Sequence, residues 1–376
     1  MSKEKKVMRI LYDGQVYAGQ ATGGINKYFN NIISRLPESF SPYLTIATKY
    51  QNHEITYPAH PNLKTFKYAR FGFRPGRLSY WIEKYYFRFF SGLYEFDVFH
   101  PSYYSLLTRQ DLNKYQFPVV ITVWDMIDEI FPEQLDPYGN LRRQKQKAIV
   151  SAQAIICISE NTKKDLIERY SLPENKINVT YLAADIDSSL SYGSEPVPDR
   201  PYYLYVGHRT SYKNFDGLLL AFAKVVSVRP DIMLCVVGPY INKAEAKLIA
   251  ELKLWDYVVH YEYATDTHLA KLYRCSVALV YPSKYEGFGI PPLEAMSCKT
   301  AVVASNCSSI PEVVGEAGLL FDPDSASELA DILLFLLDNP TERDRLIAKG
   351  CQRSKAFTWE KTVAQTLDVY RSVSIK

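Results

Sequence analysis

One stretch, residues 277–295, constrains the fold of this chain more than any other. The apolar run 277–281 reads as a buried parallel strand. Gly287 and Gly289 then open the backbone, and Pro291 and Pro292 suit the first turn of a helix. Strand, glycine turn and helix together make a phosphate seat. Glycines admit an approach that a Cβ would block, and the unpaired N–H groups of the helix start favour an anion over Gly287, Phe288, Gly289 and Ile290. Glu286 falls in the loop before this helix and Glu294 in its second turn, so both carboxylates can reach one ligand at different depths. Carboxylates do not suit phosphates, but they accept paired hydrogen bonds from neighbouring hydroxyls. The implied ligand is a sugar joined through phosphates to a ribose.

The same order recurs along the chain. Residues 8–13 read as a first strand, and Asp13-Gly14 opens a long loop that reaches Gly23 and Gly24. Ile25, Tyr28, Phe29, Ile32 and Ile33 then keep helical spacing. Residues 202–206 make another strand, followed by Gly207-His208-Arg209 and Lys213 at a helix mouth. Strands are also expected at 96–101, 118–123, 154–159, 177–182, 232–238, 258–263 and 301–305, separated by helices. This is an α/β pattern throughout. With 376 residues, 47% of them apolar, two domains are expected.

Composition narrows the function classes. Six scattered cysteines suggest neither a zinc site nor a disulfide framework, which fits a reducing cytoplasm. Few apolar residues follow the basic start before Asp13, too few for a signal-peptide core or a spanning helix. Residues 1–190 hold 24 Lys and Arg against 19 Asp and Glu, and the remainder 20 against 22. That small excess, without a basic run, argues against nucleic acid.

The Glu286-x7-Glu294 pair is followed by Ser308-Ser309-Ile310-Pro311-Glu312-Val313-Val314-Gly315-Glu316-Ala317-Gly318 and Phe321-Asp322-Pro323. In this the chain resembles the retaining nucleotide-sugar glycosyltransferases of family 4, which have the GT-B fold of two Rossmann-like domains facing across a cleft. The resemblance implies that Glu286 meets hydroxyls of the donor sugar and Glu294 the ribose. It also implies that Arg209 and Lys213 clamp the leaving diphosphate, and that Gly23 and Gly24 touch the donor phosphate or the acceptor. Where the family carries a His that contacts the sugar near the reacting carbon, this chain has Trp124, with Asp125 beside it as a candidate polar group. Trp124 is expected to present a stacking surface to the cleft. It is also the one support for a rival reading, a nucleotide-sugar-binding GT-B protein that transfers nothing and acts as a partner or regulator. A nicotinamide enzyme would want Gly-x-Gly-x-x-Gly after the first strand, and this chain lacks it.

Two further segments have a functional and a plain reading. Residues 64–94 mix seven basic side chains with many aromatic ones, among them Trp81, Tyr85 and Phe89. That suits a membrane interface, yet the same spacing makes an ordinary buried helix stripe, which is the expectation preferred here. Asp185 and Asp187 have metal-ligand spacing but run into a Ser-, Gly- and Pro-rich stretch, and are read as linker. The expected domains are 1–190 on the acceptor side and 191–356 for the nucleotide sugar, with 357–376 as a helix returning to the first. The resemblance implies a metal-independent, cofactor-free hexosyltransferase, with a GDP-mannose-like donor and a glycan or lipid-linked glycan acceptor. Its place would be cell-surface polysaccharide synthesis, in the cytoplasm or at the inner face of the membrane.

Overall fold

The computed structural model describes residues 7–19, 23–48, 56–69, 81–82, 85–89, 92–105, 112 and 116–374. The chain divides into two compact units, Met1–Tyr181 with Trp359–Lys376, and Leu182–Thr358.

In the first unit β1 (Met8–Tyr12), β2 (Phe40–Thr48), β3 (Lys64–Ala69) and β4 (Val98–Phe99) form a sheet in the order β3-β2-β1-β4. A second sheet holds β5 (Val120–Val123), β6 (Ala154–Cys157) and β7 (Ile177–Val179) in sequence order. A parallel bridge from Phe99 to Val119 joins the two sheets. Every strand pairing is parallel. β5 and β6 are buried at each position, which is why their sequences are unbroken apolar runs rather than alternating ones. Helix Gly24–Ser34 lays Tyr28, Phe29, Ile32 and Ile33 on the core, at the spacing of one helix face.

The last helix, Trp359–Val373, belongs to this unit and is tied in by a buried polar chain. The Tyr370 hydroxyl lies 2.6 Å from His100 Nδ1 and 3.1 Å from the Tyr12 hydroxyl, while His100 Nε2 lies 2.9 Å from Thr122 Oγ1. Burial pushes the His100 pKa down to about 3, so the ring stays neutral. A neutral imidazole offers one donor and one acceptor, enough to join the ends of β1, β4 and β5 to the helix without a buried charge.

The structure departs from the sequence reading in this unit at three places. The loop after Asp13 contains a short helix, Gln15–Gly19. β2, which carries Pro42, is not among the strands expected from the sequence. Residues 64–69 are a strand, and Trp81, Ile82 and 85–89 are helical with the opposite face inward. Phe87 is 1% exposed, whereas Trp81, Tyr85 and Phe89 are 58%, 57% and 63% exposed. The expected buried stripe is therefore on the outside. Arg70, Phe71, Phe73, Arg74, Arg77, Tyr80, Lys84 and Phe90 lie outside the described residues.

The second unit is a parallel sheet of β8 (Tyr202–Val206), β9 (Met233–Val237), β10 (Val258–Tyr261), β11 (Ala278–Tyr281), β12 (Ala301–Ser305) and β13 (Leu319–Phe321). Their order is β10-β9-β8-β11-β12-β13. Leu218, Phe222, Val236, Val280, Val303 and Leu333 lie in its core. The order reverses between β8 and β11, and at such a reversal the loops leaving the two strands part to opposite faces and open a crevice. Those loops carry Gly207–Lys213 and Ser283–Gly289, so topology brings together two motifs more than seventy residues apart.

Candidate functional site

The loop after β8 begins at Gly207, with φ +136°. Beside it, Gly238 (φ +149°) follows β9, and a Cβ there would stand 2.2 Å from the Gly207 carbonyl oxygen. Glycine is required at this crossing. Lys213 ends a short turn, and its ammonium donates to both carboxylate oxygens of Glu286, at 2.7 and 2.8 Å. Glu286 is 7% exposed and is held from behind by the downstream serines. Its amide donates to Ser308 Oγ at 2.9 Å, and Ser309 Oγ donates to the Glu286 and Phe288 carbonyls at 2.8 and 2.7 Å. Asn214 reaches the Pro323 carbonyl at 2.7 Å, which draws the Phe321-Asp322-Pro323 motif onto the same loop.

Arg209 does not stand open at the helix mouth, as the sequence suggested. Its side chain is 3% exposed, ion-paired at 3.1 Å with Glu245, itself buried. It donates to the Pro239 and Tyr240 carbonyls and lies 5.5 Å over the Phe215 ring. The longer guanidinium reaches across to the loop after β9, so it organises that loop while Lys213 faces Glu286.

Helix Ile290–Ser297 starts with two prolines in its first turn, after Gly289 at φ +129°. The Phe288 ring is buried edge-on to Phe357, 5.8 Å between centroids, so what this stretch offers a ligand is backbone. Glu294 is 8% exposed, and Tyr273 donates to its Oε2 at 3.0 Å. Tyr281 stands near Glu286. Burial, reinforced by the neighbouring carboxylate, holds both tyrosine pKa values well above the ordinary value, so both hydroxyls stay protonated. The two glutamates thus differ. Glu286 is paired with the Lys213 ammonium, whereas Glu294 accepts from the Tyr273 hydroxyl.

In the first unit Gly23 has extended backbone and Gly24 opens the helix, with nothing within 4 Å of a Cβ placed on Gly24. Trp124 is a correction. It is 8% exposed and packs edge-on against Tyr28 (5.0 Å, 87°) and Phe29 (6.2 Å, 73°), so the indole fills the aromatic core and offers no stacking surface. Its position at the end of a fully buried strand turns it inward. Asp125 caps the next turn, accepting from the Ile127 amide at 3.0 Å. Desolvation raises the Asp125 and Asp128 pKa values, opposed in both by Lys145.

That lysine is not singled out by the sequence, where 141–149 reads simply as a basic helix. Its side chain is fully buried, with Nζ 2.8 Å from Glu129, 3.5 Å from Asp128 and 3.9 Å from Asp125. Glu245 and Tyr273 were likewise missed. Glu245 is the acid of a capping box with Asn242 in the first turn of helix Lys243–Glu251, and Tyr273 lies in the last turn of helix Asp266–Cys275, but neither place names the partner across the fold. Asp187 accepts from the Ser189 amide at 2.7 Å as the cap of a short turn. Among the described residues no group of three or more His, Cys, Asp or Glu is placed to hold a metal ion.

Sheet order and loop meeting define the doubly wound class. The solved structure of sucrose-phosphate synthase from Thermosynechococcus elongatus matches with a TM-score of 0.78 at 22% identity, over 97% of this chain and 99% of its own. The fold is GT-B, built of two Rossmann-like units. The family models described as Glycosyltransferase Family 4 and Glycosyl transferases group 1 match residues 22–188 and 193–353. The chain belongs to glycosyltransferase family 4. It is similar to O-antigen chain mannosyltransferase B of Escherichia coli, 31% identical over 242 residues, which are 61% of this chain and 64% of that one. It is also similar to the MMP alpha-(1->4)-mannosyltransferase of Mycolicibacterium hassiacum, 29% identical over 292 residues, 73% of this chain and 70% of that one. The match to the first of these relatives spans just under two thirds of that protein's length.

Proposed function

We propose that the chain transfers a hexose, with retention, from a nucleoside diphosphate sugar to a glycan or lipid-linked glycan acceptor in cell-surface polysaccharide synthesis. A GDP-mannose-like donor is favoured because the two relatives above are named mannosyltransferases. The observation that carries the reading is the Lys213–Glu286 pair beside the start of helix Ile290–Ser297. Phosphate arriving over Gly287–Ile290 takes up the ammonium of Lys213, and the released carboxylate accepts from sugar hydroxyls. No protein nucleophile is assigned. The departing diphosphate helps remove the acceptor proton on the same face of the sugar, and its own charge is stabilised by Lys213 and the helix amides rather than by a metal.

The non-catalytic reading rested on Trp124 as a lost contact. With the indole in the core, the residue is accounted for by packing, and the transferase reading stands ahead. The exposed Trp81, Tyr85 and Phe89, beside exposed Arg88 and Lys67, support seating this segment on a membrane surface that carries anionic lipid. No described helix is long and apolar enough to cross a membrane. The test is transfer from radiolabelled GDP- and UDP-hexoses to a lipid-linked oligosaccharide panel, with EDTA in half the reactions. Product of retained anomeric configuration, undiminished by EDTA, is expected. Nucleotide-sugar binding with no transfer would favour the binding protein, and strict dependence on Mg2+ or Mn2+ would remove the metal-free clamp.

A further inference from the structure

The two carboxylates of the site are held in different ways, and the difference has a use. Glu286 is matched by a cation, but Glu294, equally buried, is matched by the hydroxyl of Tyr273. A buried carboxylate needs a donor; a tyrosine supplies one without cancelling the charge. Tyr273 has no exposed surface and sits in the last turn of helix Asp266–Cys275, so its hydroxyl is fixed by packing before any ligand arrives. With Oε2 engaged at 3.0 Å, the plane of the Glu294 carboxylate is set.

We propose that Tyr273 is the positioning residue for nucleotide recognition, its hydroxyl orienting the Glu294 carboxylate towards a pair of ligand hydroxyls. This rests on the reading of Glu294 as the carboxylate that meets the ribose. The ring of Tyr273 fills core space that phenylalanine also fills, so the hydroxyl's part can be separated from the ring's.

Tyr273→Phe, Glu294→Ala and the double variant are titrated with GDP and with UDP by calorimetry. For whichever nucleotide binds the parent, Tyr273→Phe is expected to raise Kd about tenfold, the scale for losing a hydrogen bond to a charged group. Donor KM should rise in step while kcat stays within about twofold. In the Glu294→Ala background Tyr273→Phe should change nothing, because there is no carboxylate left to orient. A parent-like Kd for Tyr273→Phe, or a further loss in the double variant, overturns the inference while leaving the nucleotide site intact. If Tyr273→Phe alone does not fold, the comparison between Glu294→Ala and the double variant decides by the same criterion. Binding of neither nucleotide to the parent refutes the site assignment itself, and the inference with it.

Discussion

Replacing Lys145 by methionine keeps most of the side-chain volume and removes one charge. In the parent that charge is fully buried, donates to Glu129 at 2.8 Å and to the Asp125 carbonyl at 3.1 Å, and lies 5.3 Å over the Tyr104 ring. Asp128 and Asp125 stand at 3.5 and 3.9 Å, and Tyr170 gives Glu129 its other donor at 3.0 Å. One cation therefore serves three carboxylates, and its loss leaves them facing one another in a poorly hydrated place. Removing one partner of a buried ion pair costs about 3–5 kcal/mol, a large part of the roughly 5–15 kcal/mol that holds a domain folded. Urea unfolding followed by tryptophan fluorescence reads this unit well, since Trp81, Trp124 and Trp359 belong to it and Trp255 to the other. The pH dependence has a definite sign. Asp125 and Asp128 have pKa values raised by desolvation and held back by Lys145, so in the variant they rise further. A carboxyl whose pKa is higher folded than unfolded binds its proton more tightly in the folded state, which gains stability as pH falls through that folded value. The gap between variant and parent should narrow from pH 7 towards pH 5. A loss under about 1 kcal/mol, or a gap that widens on acidification, would refute the buried-cage reasoning.

Glu286→Gln should lower transfer by about 100-fold or more while nucleoside diphosphate binding holds or tightens, because Lys213 no longer has a carboxylate to neutralise it; calorimetry and initial rates separate the two. Arg209→Ala should lower the unfolding midpoint of the second unit as well as activity, by about 3–5 kcal/mol of stability, since it strands buried Glu245. Adding Glu245→Gln to that variant should recover part of the stability in the same melt. Trp124→Ala should destabilise the first unit by about 3–5 kcal/mol, as a large core ring is lost; a melt unchanged from the parent would return the indole to the surface. Trp81→Ser with Tyr85→Ser and Phe89→Ser should abolish cosedimentation with vesicles containing anionic phospholipid and leave the melting temperature unchanged, because these rings are already exposed.

Much of the architecture is written in local pattern. Apolar runs such as 301–305 and 278–281 are strands because both faces are covered, and the glycines and prolines at 287–292 mark their turn and helix start wherever they occur. The pairing of Glu286 with a phosphate seat is legible for the same reason: both lie on one short piece of chain. What the sequence by itself could not determine is direction and partnership across distance. Trp124 and Trp81 are the same residue type in aromatic surroundings, yet one is buried and the other exposed, because sheet and helix orientation choose the side. Arg209 is a loop cation in sequence and a buried ion pair in the fold, because Glu245 comes to it from a separate helix. Lys145 among three carboxylates and Tyr273 against Glu294 exist only once the elements pack, since the energy of a buried charge or hydroxyl depends on which groups the tertiary structure sets within about 3 Å of it.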